Sequence, residues 1–139
     1  MTKFFLNRVV KHTECPRQEL TLHNECIRFM TAAGWKLVRH EWQVVKGANE
    51  HGVGDLVFSK KNVDCVIECK RSTVPKVFEQ ARYYGAAWKL LYATKQKNVM
   101  YGVWTCNTKS ITGILQSNKD AREICERDIC NYLWVHQRK

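Results

Sequence analysis

The sequence lacks the features that would indicate a membrane protein, a secreted protein or a repeat protein. None of its 139 residues lies in an apolar run approaching the roughly 20 residues that a membrane-spanning helix needs. The apolar segment at residues 4–6 is too short for the core of a signal peptide, so we expect no export. Repeats and low-complexity segments are absent as well. We therefore expect a protein of the cytoplasm or nucleus with no membrane partner.

Cysteine is plentiful, but spacing typical of a metal site is missing. The seven cysteines include no Cys-x-x-Cys pair, and Cys125 and Cys130 lie five residues apart on a predicted helix, which is poor spacing for zinc ligands. Because their number is odd and their positions are scattered, free thiols in a reducing intracellular compartment are the simpler interpretation.

Acidic residues are scarce relative to basic ones. The chain has 13 Asp and Glu against 23 Lys and Arg, for a formal net charge of +10 at pH 7. Such charge favours a polyanionic partner, most often nucleic acid, although an acidic membrane surface would also suit it. The length and the apolar content of 45% indicate a single domain, residues 1–139, with a hydrophobic core.

The few acidic residues become informative where they interrupt apolar strands. Two short apolar segments flank a polar turn at residues 59–62, which predicts a hairpin. Side chains alternate across a strand, so Glu68 and Lys70 share one face, and antiparallel pairing would bring Asp55 close to Glu68. Buried carboxylates are costly unless a cation accompanies them. The pair would suit a hard cation, Mg²⁺ or Mn²⁺.

The neighbouring residues extend this predicted site. The backbone carbonyl of Cys69 is a further candidate ligand. Lys70 would orient or activate a water and stabilise charge that develops on a phosphate. A focal negative site in a basic protein favours phosphodiester chemistry over membrane binding. The alternative is an ordinary surface hairpin that carries an Asp and a Glu/Lys pair.

The pattern Gly-Val-Gly-Asp55, followed by Glu68-Cys69-Lys70, resembles the core motif of the PD-(D/E)xK nuclease superfamily. That group includes archaeal Holliday-junction resolvases, many restriction endonucleases, VRR-type nucleases and nuclease domains similar to RecB. The residue before Asp55 is Gly54 rather than proline, at a position that varies within the superfamily. The resemblance covers about residues 17–106 and leaves the last thirty residues unexplained.

The resemblance implies an α/β fold with a restriction-endonuclease-like core, in which helices flank a central mixed sheet. It also implies that Asp55 and Glu68 hold the metal. Residues 17–33 predict a helix with a broad apolar face that begins at Leu20, and Glu19 lies in the middle of that face. Many members of the superfamily carry a glutamate on the first helix that reaches towards the metal site. Capping of the first helical turn is the alternative for Glu19. On the same face, His23 fits a core or rim histidine better than a ligand.

A second helix, predicted over residues 76–94, carries Gln80 and Tyr84 one turn apart. This pair resembles an additional motif of nucleases similar to RecB, in which the glutamine lies beside the active site and would orient Lys70 or the substrate. A core tyrosine with a polar neighbour is the alternative. Six residues are candidate nucleic-acid contacts: His51, Lys60, Lys61, Arg71, Arg82 and Tyr84.

The predicted element order is helix, three strands, helix, strand, short strand, helix. The first strand spans residues 35–45. A strand at 98–106 should run parallel to the Glu68 strand, because a helix separates the two in sequence. A short strand at 111–115 and a closing helix at about 119–134 complete the chain.

Three functions stay open at this point. The first is a Mg²⁺- or Mn²⁺-dependent nuclease that hydrolyses phosphodiester bonds in DNA, and the resemblance implies 5′-phosphate ends. Structure-selective cleavage of junctions, flaps or ends is favoured over restriction, because no recognition domain is predicted. The resemblance to junction resolvases also allows a homodimer and a role in DNA repair or recombination. The alternatives are a non-catalytic nucleic-acid-binding module and an RNA-cleaving nuclease.

Overall fold

The structure is a computed structural model that describes residues 19–43, 53–71, 75–94 and 96–125. Residues 118–125 at the end of this part are helical. The earlier elements, in chain order, are α1 (Glu19–Ala32), β1 (Lys36–Gln43), β2 (Val53–Lys60), β3 (Val63–Cys69), α2 (Pro75–Leu91), β4 (Asn98–Trp104) and β5 (Lys109–Leu115).

The five strands form one mixed sheet in the order β1-β2-β3-β4-β5. β3 and β4 run parallel, and the other neighbouring strands pair antiparallel. Parallel neighbours need a long connection, and α2 provides it between β3 and β4. The predicted α/β class, mixed sheet and parallel β3–β4 pair are confirmed.

Alternating side chains of the central strands divide the core into two layers. Leu56 and Phe58 of β2 pack in a cluster with Leu22 and Met30 of α1. Val57, between them in the chain, packs in a different cluster with side chains of α2. Because successive residues of a strand point to opposite faces, α1 and α2 cover opposite sides of the sheet.

The β2–β3 hairpin is longer and its turn tighter than the sequence predicts. Ser59 and Lys60, expected in the turn, pair with Asp64 and Val63. Lys61 begins the remaining two-residue turn with a φ of 55°. Such left-handed residues match the twist of a hairpin, so the pairing extends closer to the tip.

The apolar face of α1 is narrower than predicted. Leu22, Cys26 and Met30 are buried at spacings of four residues, whereas Leu20 is 59% exposed. At about 100° per residue, Leu20 lies on the far side of the helix from Leu22. The expected contribution of Leu20 to the core is therefore wrong. The predicted closing helix is confirmed over residues 119–125, and its continuation to 134 lies outside the described residues.

Most of the described cysteines carry free thiols, namely Cys26, Cys65, Cys69 and Cys125. Cys106 is disulfide-bonded, so the expectation of free thiols is wrong at that position. None of the described helices is long and apolar enough to cross a membrane.

Candidate functional site

Two hydrogen bonds, from the main-chain N–H groups of Asp55 and Cys69, hold the carboxylates of Glu68 and Asp55 where β2 and β3 separate. The pairing of these strands ends at Leu56 and Ile67. One residue beyond it, the Asp55 N–H donates to Glu68 Oε2 over 3.0 Å. The Cys69 N–H donates to Asp55 Oδ2 over 2.7 Å. Each carboxylate thus accepts a main-chain N–H beyond the point where the two strands pair with each other. The predicted proximity of Asp55 and Glu68 is confirmed.

Both carboxylates are buried, and burial opposes their ionisation. Glu68 is 0% exposed, and its Oε1 has no hydrogen-bond partner among the described residues. Burial, together with the charge of Asp55, raises the pKa of Glu68 well above its ordinary value. Burial also raises the pKa of Asp55, although the Cys69 N–H, His23 and Lys70 oppose that rise. A cation at this point would relieve both carboxylates.

Lys70 lies at the solvent-exposed edge of the site, next to Glu19. The Lys70 Nζ is 4.0 Å from Glu19 Oε1, and both side chains are partly exposed. Glu19 is the first residue of α1, so it is placed for capping as well as for the site. Its charge contributes to the raised pKa values of Asp55 and Glu68. The structure therefore groups all four predicted residues.

His23 and His40 extend the site beyond the sequence prediction. His23 is 5% exposed, and its Nε2 is 3.6 Å from Asp55 Oδ1. Its other ring nitrogen, Nδ1, lies 3.0 Å from Nε2 of His40 on β1. The helical spacing of His23 from Glu19 was a usable signal for its position. His40 had no such signal, because only the packing of α1 against β1 brings the two rings together.

A second set of ligand atoms shares Asp55. A nitrogen of His23, a carboxylate oxygen of Asp55 and Sγ of Cys69 all lie within 4.8 Å of one another. The sequence prediction used the backbone carbonyl of Cys69 and made no use of its thiol. A hydrogen bond with Cys26 and burial raise the pKa of that thiol.

Packing explains why glycine precedes Asp55. Gly54 pairs with Trp42 of β1, and the Trp42 indole lies across it. A Cβ atom on Gly54 would stand 2.3 Å from the nearest indole atoms. Any side chain here, the ring of a proline included, would collide with the indole. The departure from the superfamily's proline thus has a local steric reason.

The predicted pair on α2 is in contact. The Gln80 Nε2 donates to the Tyr84 hydroxyl over 3.0 Å. Tyr84 is 1% exposed and belongs to a buried cluster with Trp42 and Val57. The predicted nucleic-acid contact by Tyr84 is therefore corrected, because its ring is in the core and offers no surface to a base.

The start of α2 lies level with the carboxylates. Val77 and Ala81 pack against Val103, the β4 residue that pairs with Glu68. Gln80, between them on the helix, is half-buried. Its role beside the active site stays a prediction.

The remaining predicted nucleic-acid contacts lie at different ends of the molecule. Arg71 is exposed and directly follows Lys70 at the site. Lys60 and Lys61 lie at the hairpin tip, and Lys60 is five residues along β2 from Asp55, about 17 Å at the usual strand rise.

Two further candidates are less accessible or lie elsewhere. Arg82 is half-buried on α2. His51 lies outside the described residues. The contacts proposed for these residues stay predictions.

No protein-family model, curated protein or solved structure matches this chain. Its functional interpretation therefore depends on the geometry of the described residues.

Proposed function

We propose that this chain is a metal-dependent nuclease that hydrolyses phosphodiester bonds in DNA. We also propose that its sheet and helices form the restriction-endonuclease-like core of the PD-(D/E)xK superfamily. The observation that carries the proposal is the meeting of Asp55 and Glu68 at the point where two adjacent strands part, with Lys70 at the solvent-exposed edge of the site.

The donor set fits a hard divalent cation. Two neighbouring carboxylates with raised pKa values are an unfavourable pair without positive charge, and Glu68 Oε1 has no hydrogen-bond partner among the described residues. Asp55 and Glu68 would hold Mg²⁺ or Mn²⁺, assisted by the Cys69 carbonyl and Glu19. The bound ion would act as a Lewis acid and lower the pKa of a bound water.

The side chains around this pair have distinct tasks in the proposal. Lys70 orients the attacking water and stabilises negative charge on the phosphate. Glu19, 4.0 Å from Lys70 Nζ, holds the amine beside the carboxylate pair. Gln80, positioned by its hydrogen bond to Tyr84, orients Lys70 or the substrate.

The proposed substrate is DNA with a distinctive structure, such as a junction, a flap or an end. The net charge of +10 supports binding to a polyanion such as DNA, whatever the base sequence of the DNA. The proposed catalytic side chains come from α1, α2 and the β2–β3 hairpin, with Lys70 directly after β3. A homodimer acting in DNA repair or recombination would fit this substrate.

Cleavage of a labelled substrate panel tests the proposal. The panel holds linear duplex, single strand, nicked circle, flap, four-way junction and RNA, each incubated with Mg²⁺, Mn²⁺ or EDTA. We expect metal-dependent DNA cleavage that falls at least about 100-fold in Lys70→Ala, because one charge-stabilising donor is removed. Lys119→Ala removes the same charge from an exposed position of the last described helix and serves as the matched control.

Three other outcomes would overturn the proposal, change its substrate or remove the role of Lys70. Folded wild-type protein that binds the panel and cuts nothing with either metal would overturn the proposal in favour of a binding module. Cleavage of RNA alone would retain the site and change the substrate. Equal loss of activity in both lysine variants would remove the assigned role of Lys70.

A further inference from the structure

A group of mixed donor atoms lies beside the carboxylate pair. One nitrogen of His23, one oxygen of Asp55 and Sγ of Cys69 lie within 4.8 Å of one another, and all three residues are buried. Tetrahedral sites with bonds of about 2.0–2.3 Å hold their ligand atoms about 3.5 Å apart. Side-chain rotations that contract the group by about 1 Å would therefore complete a three-ligand site.

The orientation of His23 points independently to a ligand. Its Nε2 is buried, has no hydrogen-bond partner in the described part of the chain, and is 3.6 Å from Asp55 Oδ1. Its Nδ1 is engaged by His40 at 3.0 Å. Histidines that bind metals usually have the second nitrogen held in this way, which fixes the ring and the tautomer.

The donor types select a class of ion. Nitrogen and sulfur donors favour Zn²⁺ and chemically similar ions such as Co²⁺, whereas the oxygens of Asp55 and Glu68 favour Mg²⁺ or Mn²⁺. On binding, Cys69 would release its proton to solvent and ligate as the thiolate.

We propose that His23, Asp55 and Cys69 bind one thiophilic divalent ion, Zn²⁺ in kind, and that this ion excludes the hard cation of the proposed nuclease centre. The exclusion, but not the binding, rests on the proposed function. Asp55 Oδ2 accepts the Cys69 N–H over 2.7 Å, so Oδ1 is the oxygen left for either ion. Two divalent ions competing for that oxygen would also repel each other.

Titration of the metal-free chain of 139 residues with Co²⁺ tests the binding. We expect a thiolate-to-cobalt absorption band that saturates at one equivalent and disappears when Zn²⁺ displaces Co²⁺. Cys69→Ala should abolish the band, and His23→Gln should weaken binding at least about tenfold. Cys65→Ala is the matched control, because Cys65 is an equally buried free thiol on β3 that does not belong to the three-residue group.

The variants are also examined by urea unfolding, so that loss of the fold is separated from loss of a ligand. If Cys69→Ala does not fold, His23→Gln and Asp55→Asn decide the question by the same titration. A folded wild type without the band would overturn the inference. A band that persists in folded Cys69→Ala, or unchanged affinity in folded His23→Gln and Asp55→Asn, would do the same.

A cleavage assay then tests the exclusion. Zn²⁺ should inhibit Mg²⁺-supported cleavage, and additional Mg²⁺ should relieve the inhibition. Glu68→Gln should lose cleavage and keep the cobalt band, because Glu68 belongs to one ion's ligands only. A protein that cuts nothing yet shows the band overturns the nuclease proposal alone. A protein that cuts DNA but lacks the band overturns only the inference.

Discussion

Glu68 combines complete burial with an incomplete set of hydrogen bonds. Its Oε2 accepts the Asp55 N–H, while Oε1 has no partner in the described structure. Burial raises the pKa of Glu68, so the folded chain holds this proton more tightly than the unfolded chain does. Ionised Glu68 therefore costs stability whenever no cation is bound.

Glu68→Gln should stabilise the metal-free protein at neutral pH. Wild type loses stability from Glu68 as the pH rises from the unfolded-state pKa of about 4.3 towards the raised folded pKa. We expect the variant to be more stable at pH 7, because a neutral amide at this fully buried position carries no charge.

Urea unfolding in EDTA between pH 4 and pH 8 measures this difference. The two proteins should converge near pH 4 and diverge as the pH rises, and Mg²⁺ should narrow the gap. A stability difference that does not change with pH would contradict the explanation.

Gly54→Ala should cost about 1–3 kcal/mol of unfolding free energy, because the new methyl group meets the Trp42 indole. Chemical denaturation of a double-mutant cycle with Trp42→Leu provides the measurement. The cost of the added methyl should fall in the Trp42→Leu background, since the smaller side chain leaves room. Additive costs would show that the collision is not the cause.

Individual site residues differ in how far sequence alone could place them. Asp55, Glu68 and Lys70 were predictable, because strand alternation and hairpin pairing are local rules. His40 was not, because its contact with His23 depends on how α1 rests on β1. Tyr84 has polar and aromatic character that suits either a surface or a core, and only the packing of α2 decides between them.

At the scale of elements, a buried carboxylate joins several segments. Asp64 of β3 accepts hydrogen bonds from Trp88 Nε1 over 2.9 Å and from Lys97 Nζ over 2.8 Å. The same Lys97 Nζ donates to Ser59 Oγ over 2.7 Å. These contacts tie the β2–β3 hairpin to α2 and to the residue that precedes β4.

Asp64→Ala should destabilise the protein by about 2–3 kcal/mol, because Trp88 would keep a buried donor without its acceptor and Lys97 would lose its ion pair. Ser59→Ala removes one hydrogen bond and should cost about 1 kcal/mol. Thermal and urea unfolding measure both variants. Equal costs would show that Asp64 is not the centre of this network.

The existence and order of the elements followed from the sequence, but their ends did not. The turn predicted at residues 59–62 comprises only residues 61–62, because strand pairing reaches Lys60 and Val63. The last strand, expected at 111–115, begins at Lys109 because that residue pairs with Trp104. Polar side chains at a strand end look like a turn in the sequence. The main chain can still pair there, because its hydrogen bonds do not depend on the polarity of the side chains.

At the scale of the whole molecule, positive charge should make nucleic-acid affinity strongly dependent on salt. Arg71 lies next to the site, whereas Lys61 lies at the opposite end of the hairpin. Arg71→Ser should weaken DNA binding and reduce the slope of log affinity against log salt by about 0.9, the value of one phosphate contact. Lys61→Ser should change the slope less.

Fluorescence anisotropy of labelled duplex between about 50 and 200 mM salt measures these slopes. Both variants carry the same change in charge, so a general effect of net charge would lower the two slopes equally. A larger effect of Lys61→Ser would instead place the DNA path along the hairpin tip.

The sheet also has a consequence for the order in which the protein is made. β1, β2 and β3 are consecutive antiparallel strands, and β4 joins β3 only after α2 has crossed over. On the ribosome, Asp55 and Glu68 can meet before the strand that covers β3 has left the exit tunnel. During that interval the nascent chain presents an unpaired apolar edge, a common origin of misassembly. A pause in translation between the emergence of β3 and the emergence of β4 would lengthen this exposure and should lower the yield of correctly folded protein.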